Sequence, residues 1–259
     1  MQWWLRADVG AEEAAADPAE NGDGVRYWRN QATNTFDLTQ DTLANRPTFD
    51  DPASNHNNEP ALSFDGSSTY LTAGNVLNQG TDSFTMFTVF RSPSRTITGN
   101  EMLIDKRSGT DRFTLYARAN SSNPGLYFLY GDGTTALTSQ LGVGTNYTEL
   151  LDDRPHISVG VVDFGDTAYH YLDAPSGPAT ADISSIINGQ SNGGPLIVGG
   201  RSDHTINRWQ GTIAEIIMYK GALSSSELNE VGYYLQNKYA VDGAFPDSGA
   251  PAGTVVIIK

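Results

Sequence analysis

Aromatic, cationic and imidazole side chains at alternate positions of an extended strand share one surface. Such a surface suits sugars, whose apolar faces stack on rings while their hydroxyls take hydrogen bonds. Residues 112–119 (RFTLYARA) have this pattern. If Phe113, Leu115 and Ala117 look inward, Thr114, Tyr116 and Arg118 lie on the other face. In residues 125–130 (GLYFLY), Tyr127 or Tyr130 should be exposed, and His170 stands between Tyr169 and Tyr171. Tyr116, Arg118, Tyr127, Tyr130 and His170 are therefore the candidate ligand-binding set. Ordinary β-propensity explains the same residues without any ligand, because Tyr and Thr are good strand formers.

Other chemistry is sparse. Calcium takes carboxylate and carbonyl oxygens, and Asp65 and Asp132, each in an Asp/Gly turn, are the candidate ligands. Asp65 has a competing role, ordering its own turn with Gly66. The four histidines (His56, His156, His170, His204) have no metal-ligand spacing. No Gly-x-Ser-x-Gly elbow occurs. Cysteine is absent, which excludes disulfides, zinc–thiolate sites and thiol catalysis. No catalytic residue is assigned.

The elements that must hold these groups are strands. Only 18% of the 259 residues are charged, and there are 27 glycines; that mix suits short strands joined by polar turns. The formal net charge of −14 repels nucleic acid, and no basic cluster offsets it. It suits solubility, calcium and neutral glycans. No stretch has the length of an apolar membrane span. Met1 is followed at once by Gln2-Trp3-Trp4-Leu5, which reads as a strand and not a signal peptide. The expectation is a processed chain, or one made without a secretion signal, as a virion protein is.

Strand-like runs include residues 1–8, 61–64, 70–72, 101–105, 112–119, 125–130, 156–163, 168–172, 196–199 and 211–219. Residues 83–91 (SFTMFTVFR) are apolar on both faces, which predicts a central strand covered on each side. Residues 9–24 and most of 29–60 read as loop, with a short strand near Asp37-Leu38-Thr39. One helix is predicted over 224–239: Ser224 precedes Glu227 in a capping arrangement, and Leu228, Val231, Leu235 and Tyr239 recur at helical spacing.

Several segments together resemble a known family. Residues 4–10 (WLRADVG), 28–31 (WRNQ), 46–48 (RPT), 64–71 (FDGSSTYL), 211–219 (GTIAEIIMY) followed by Ala222-Leu223-Ser224, and the closing Leu235-Gln236-Asn237-Lys238-Tyr239 are similar to motifs of bacterial laminin G-like/concanavalin A-like domains. Asn30 and Thr69 stand where that family usually has Asp. The resemblance covers residues 1–241 and implies an all-β, two-sheet antiparallel jelly-roll sandwich. It also implies that Trp4, Trp28 and Trp209 belong to the framework, which leaves Trp3, alternating with Trp4, to face out. Glu215 sits in the IAE motif, where its expected role is a structural hydrogen bond or pairing with an Arg. The E-x-D-x-x-E run of laminarinase-like members is absent, as are the Arg, Gln and His strand motifs of sandwich-type polysaccharide lyases.

Residues 242–253 read as a Gly/Pro/Ala linker, and 254–259 as a terminal strand containing Val255, Val256, Ile257 and Ile258. Such an apolar strand must pair, either with its own sheet or with a neighbouring copy, where it would build a homopolymer. Three functional readings follow. The first is a non-catalytic, lectin-like extracellular or surface module binding glycans or cell-surface polymers. The second is a subunit of an extracellular filament or virion joined through the terminal strand. The third, a polysaccharide-degrading enzyme, lacks the acids it needs.

Overall fold

Strands that alternate apolar and polar residues bury one face each, so they require a second layer to face. The computed structural model meets that requirement with two sheets. It describes residues 1–33, 36–53, 56–109, 111–119, 124–132, 139–143, 150–186, 193–201, 203 and 206–247; for 132, 139–141 and 143 it describes the backbone alone. The apolar run Val255, Val256, Ile257 and Ile258 lies outside the described residues.

In chain order the strands are β1 (Trp3–Arg6), β2 (Ala11–Ala14), β3 (Asp17–Pro18), β4 (Tyr27–Trp28), β5 (Leu38–Thr39), β6 (Thr48–Asp50), β7 (Ala61–Asp65), β8 (Leu71–Gly74) and β9 (Phe84–Arg91). They continue with β10 (Asn100–Ser108), β11 (Asp111–Arg118), β12 (Gly125–Asp132), β13 (Ser139–Val143), β14 (Pro155–Val162), β15 (Thr167–Leu172), β16 (Ala179–Asp182), β17 (Leu196–Val198) and β18 (Gln210–Lys220). A one-turn helix, α1 (Ala7–Gly10), follows β1, and α2 (Ser225–Tyr239) follows β18. The eight-stranded sheet runs β16-β15-β14-β9-β18-β7-β6, with β1 also paired to β18. The ten-stranded sheet runs β13-β12-β11-β10-β17-β8-β5-β4-β2-β3. Both are antiparallel, consistent with a jelly roll.

The central-strand expectation holds for β9. Phe84, Met86 and Phe90 enter the core between the sheets, while Phe87 and Val89 enter a second core beneath α2. Each large side chain buried this way contributes roughly 1.5–3 kcal/mol. Along one edge of β18, β7 pairs with Gln210–Ile213 and β1 with Glu215–Met218, and a bulge at Ala214 separates the two pairings.

Three of the resembling segments converge beneath α2. Fully buried Glu215 accepts hydrogen bonds from Trp4 Nε1 at 2.7 Å, Tyr239 Oη at 2.8 Å and Lys238 Nζ at 3.0 Å, with Tyr234 Oη at 3.3 Å. Lys238 also reaches Asp8 at 3.3 Å, and Asp8 pairs with Arg6. The opening WLRAD stretch, the IAE strand and the end of α2 are thus tied by one polar knot, as the structural reading of Glu215 expected. Ser224 caps α2, accepting from Glu227 N while the Glu227 side chain accepts from Ser224 N.

Some expectations need correction. Trp3, expected to face out, is buried between the sheets. Trp4 is the partner that faces away, into the Glu215 knot. Residues 9–24 carry β2 and β3, while β6 and β16 were not foreseen. The segment after Val241 does not begin as a free linker. Phe245 is buried against Gly232 of α2, where a Cβ would lie 2.1 Å from the Phe245 ring, so the missing side chain makes room for that ring.

Candidate functional site

The alternation in β11 decides which side chains point to the outer face of the ten-stranded sheet. Phe113, Leu115 and Ala117 enter the inter-sheet core, so Arg112, Thr114, Tyr116 and Arg118 take the opposite face. The register then sets their neighbours. Tyr116 lies opposite Met102 and Tyr127, Thr114 opposite Asp105 and Leu129, Arg112 opposite Arg107 and Gly131, and Arg118 opposite Asn100 and Gly125. Six residues of extended chain make the stripe from Arg112 to Arg118 roughly 20 Å long. Helix α2 covers only the outer face of the eight-stranded sheet.

At the middle of the stripe the Tyr116 and Tyr127 rings stack, with centroids 5.5 Å apart and planes 27° from parallel. The Arg118 guanidinium carbon sits 5.5 Å from the centre of the Tyr127 ring, within cation–π range. Opposite Tyr127 on β13 is Gly142, whose absent Cβ would meet the tyrosine ring at 2.7 Å. With Met102 and Leu129 the tyrosines make a small apolar cluster in which Tyr116 is 4% and Tyr127 7% exposed. They form a floor, and the half-buried arginines around them supply the accessible chemistry. Burial pushes the Tyr116 phenol up, so it stays neutral at physiological pH.

Beside this floor the buried Asp105 carboxylate accepts Arg107 Nε at 2.8 Å on both oxygens and Thr114 Oγ1 at 2.6 Å. Arg112 faces Arg107 across the ladder, and like charges in that position repel. Its Nε is buried with no hydrogen-bond partner among the described residues. Burial first, and then the charge of Arg107, push the Arg112 pKa down, with Arg201 adding to the effect.

The structure therefore brings Tyr116, Arg118 and Tyr127 together and places the other two candidates elsewhere. Tyr130 and His170 are buried in the inter-sheet core, not exposed. Tyr130 packs 6.0 Å from Phe84; His170 lies 5.9 Å from Phe128 and 2.9 Å from Ser158 Oγ. In β12 the parity of Leu126 and Phe128 carries Tyr130 inward with them. In β15 the neighbours Tyr169 and Tyr171 turn to the α2 side. Asp105, Arg107 and Arg112 stand beside these residues and were not named by sequence reasoning.

Asp65 folds its own loop. Its oxygens accept from Ser67 N, Ser68 N and Thr69 N at 2.8, 2.8 and 3.0 Å, and from the hydroxyls of Ser67, Ser68 and Thr69. Burial raises its pKa, but these bonds, Ser68 foremost, outweigh it and hold the carboxyl far below the usual range. Asp132 pairs with Asp111 at the end of β12, and its side chain lies outside the described residues. Among the described residues no three His, Asp or Glu side chains converge as a metal site. Away from the stripe, His156 bridges Asp173 at 2.7 Å and Asp152 at 3.1 Å. Lys106, buried in β10, donates to Gly194 O at 2.9 Å and Asn75 Oδ1 at 3.2 Å.

Comparison with known proteins bears on the fold. A family model described as the concanavalin A-like lectin/glucanases superfamily matches residues 65–229. No curated protein matches the sequence. Among solved structures, Trypanosoma rangeli sialidase in complex with sialic acid superposes with a TM-score of 0.56 at 16% identity, covering 93% of this chain and 33% of its own. The binding domain of Paraclostridial Mosquitocidal Protein 1 gives 0.53 at 13% identity, covering 77% and 52%. An arabinofuranosidase complexed with arabinofuranosyl-alpha-1,2-xylobiose gives 0.56 at 15% identity, covering 83% and 51%. This chain thus spans a third to a half of the length of these proteins, and at such identities the likeness is one of fold.

Proposed function

The chain belongs to the concanavalin A-like lectin/glucanase superfamily, and from that premise we propose that it is a non-catalytic glycan-binding module, acting at or outside the cell surface. The observation that carries the reading is the stripe on the outer face of the ten-stranded sheet. There a stacked tyrosine pair, the Arg118 guanidinium and the Asp105–Arg107–Thr114 network lie side by side. Few polar groups fixed around an aromatic floor are what sugar recognition uses.

Hydrolysis is not part of the proposal. A retaining glycosidase needs two carboxyls about 5–5.5 Å apart, one of them able to give up a proton. Glu215 spends its oxygens on Trp4, Lys238 and two tyrosines beneath α2. Asp105 is closed by Arg107 and Thr114. Neither is set to reach a sugar.

The test is a glycan array probed with the wild-type domain and with Arg118→Ala, whose side chain is half-buried at the end of the stripe. The proposal expects retention of a defined set of glycans by the wild type and loss or strong weakening in the variant. Retention of none, or equal retention by both, rejects the stripe as the binding surface.

A further inference from the structure

Arg112 lacks the carboxylate partner that several other described arginines have. Arg29 holds Glu12 and Asp37, Arg95 holds Glu101, and Arg26 holds Asp41. On the stripe Arg107 has Asp105 and, beside it, Arg201 has Asp203. Arg112 is set among these with a like charge directly opposite, a buried Nε that nothing among the described residues accepts from, and no ion pair. A half-buried guanidinium in that position carries a desolvation cost and a repulsion that the nearby Asp105 charge repays only in part. Carboxylates are abundant in a chain of net charge −14, yet among the described residues none is ion-paired with Arg112.

We infer that Arg112, with Arg107 behind it and the Tyr116–Tyr127 floor beside it, receives an anionic substituent, carboxylate or sulfate, of the bound glycan. The inference rests on the glycan-binding reading and names the class of sugar. A guanidinium fork matches the planar oxygens of such a group. The negative field of the whole chain disfavours long polyanions. Recognition is therefore of one acidic group among neutral sugars, with the neutral rings reaching from Arg112 toward Arg118.

The experiment is binding of wild type and Arg112→Gln to an array of neutral, uronic or sialic acid-bearing, and sulfated oligosaccharides. Thermal melts run alongside. Removal of an unpaired charge predicts a melting temperature unchanged or raised in Arg112→Gln, so the variant is expected to be folded. The inference expects retention of acidic glycans over neutral ones and at least about ten-fold weaker binding by the variant. Carboxylated and sulfated members separate the two sources of charge. Neutral glycans bound as well as acidic ones, with the variant unchanged, overturn the inference and leave the glycan-binding reading standing. No glycan bound by the wild type overturns both. A melting temperature several degrees lower in the variant also counts against it, because Arg112 would then be structural.

Discussion

Replacing Glu215 by alanine removes the one acceptor that ties β1, β18 and α2 together. Its carboxylate receives Trp4 Nε1 at 2.7 Å, Tyr239 Oη at 2.8 Å and Lys238 Nζ at 3.0 Å, and it is 0% exposed. Removing one partner of a buried pair costs about 3–5 kcal/mol, since the other charge is left uncompensated. Here Asp8, at 3.3 Å from Lys238, takes part of that charge. The lower half of the range, about 3 kcal/mol, is therefore expected. For a domain of this size that is a fall in Tm of roughly 6–12 °C. Urea unfolding and calorimetry measure it. Lys238→Met combined with Glu215→Ala should cost less than the sum of the single changes, because neither buried charge is then left alone. A loss below about 1 kcal/mol in Glu215→Ala, or strict additivity of the two changes, refutes the reasoning that this knot holds the helix to the sheet.

Four further outcomes are expected. Burial pushes His56 down to about 3, with Arg91 adding to the effect, so below pH 6.5 the unfolded chain takes up a proton that the folded one refuses. Stability is lost as pH falls, by about 2–3 kcal/mol between pH 6.5 and 4.5, and His56→Gln should flatten that limb of a Tm-against-pH curve. Burial lowers His156 too, but the Asp173 hydrogen bond and the charges of Asp173 and Asp152 outweigh it and raise its pKa; its contribution is present in acid and lost as pH rises through that raised value, so His156→Asn should remove a slope on the alkaline side. Ser224→Ala opens the capping box and should cost about 1 kcal/mol, read by urea titration. Gly232→Ala gains about 1 kcal/mol of helix propensity but displaces Phe245, whose burial is worth roughly 1.5–3 kcal/mol; the net is a loss in the wild-type background and a gain once Phe245 is alanine.

How far the sequence carried depends on the faces involved. The helix was readable because Ser224, Glu227 and the Leu228–Tyr239 stripe encode its start and its buried side locally. β9 was readable because apolar residues on both parities can only mean cover on both sides. That same feature hid the orientation of Trp3 and Trp4, and of His170 between its tyrosines. In a sheet buried on both faces, alternation says that neighbours point apart, not which one meets the core. The two-residue strands β4 and β5 have no pattern of their own and exist through long-range pairing. On the site, Tyr116 and Arg118 followed from the parity of Phe113, Leu115 and Ala117. Parity from Leu126 and Phe128 would also have sent Tyr130 inward and Tyr127 outward. Asp105 and Arg107 stayed hidden because a bulge between Met102 and Ile104 breaks the alternation of β10, and because Lys106, a charged residue, is the one that turns inward.

The most direct test of the binding surface is amide chemical-shift mapping of the isotope-labelled domain, titrated with a glycan that the array selects. The perturbed amides are expected to cluster on β10, β11 and β12 around Arg107, Arg112, Tyr116 and Tyr127, with α2 silent. Perturbations centred on α2 or on the Asp65 loop, with those three strands unmoved, would contradict it.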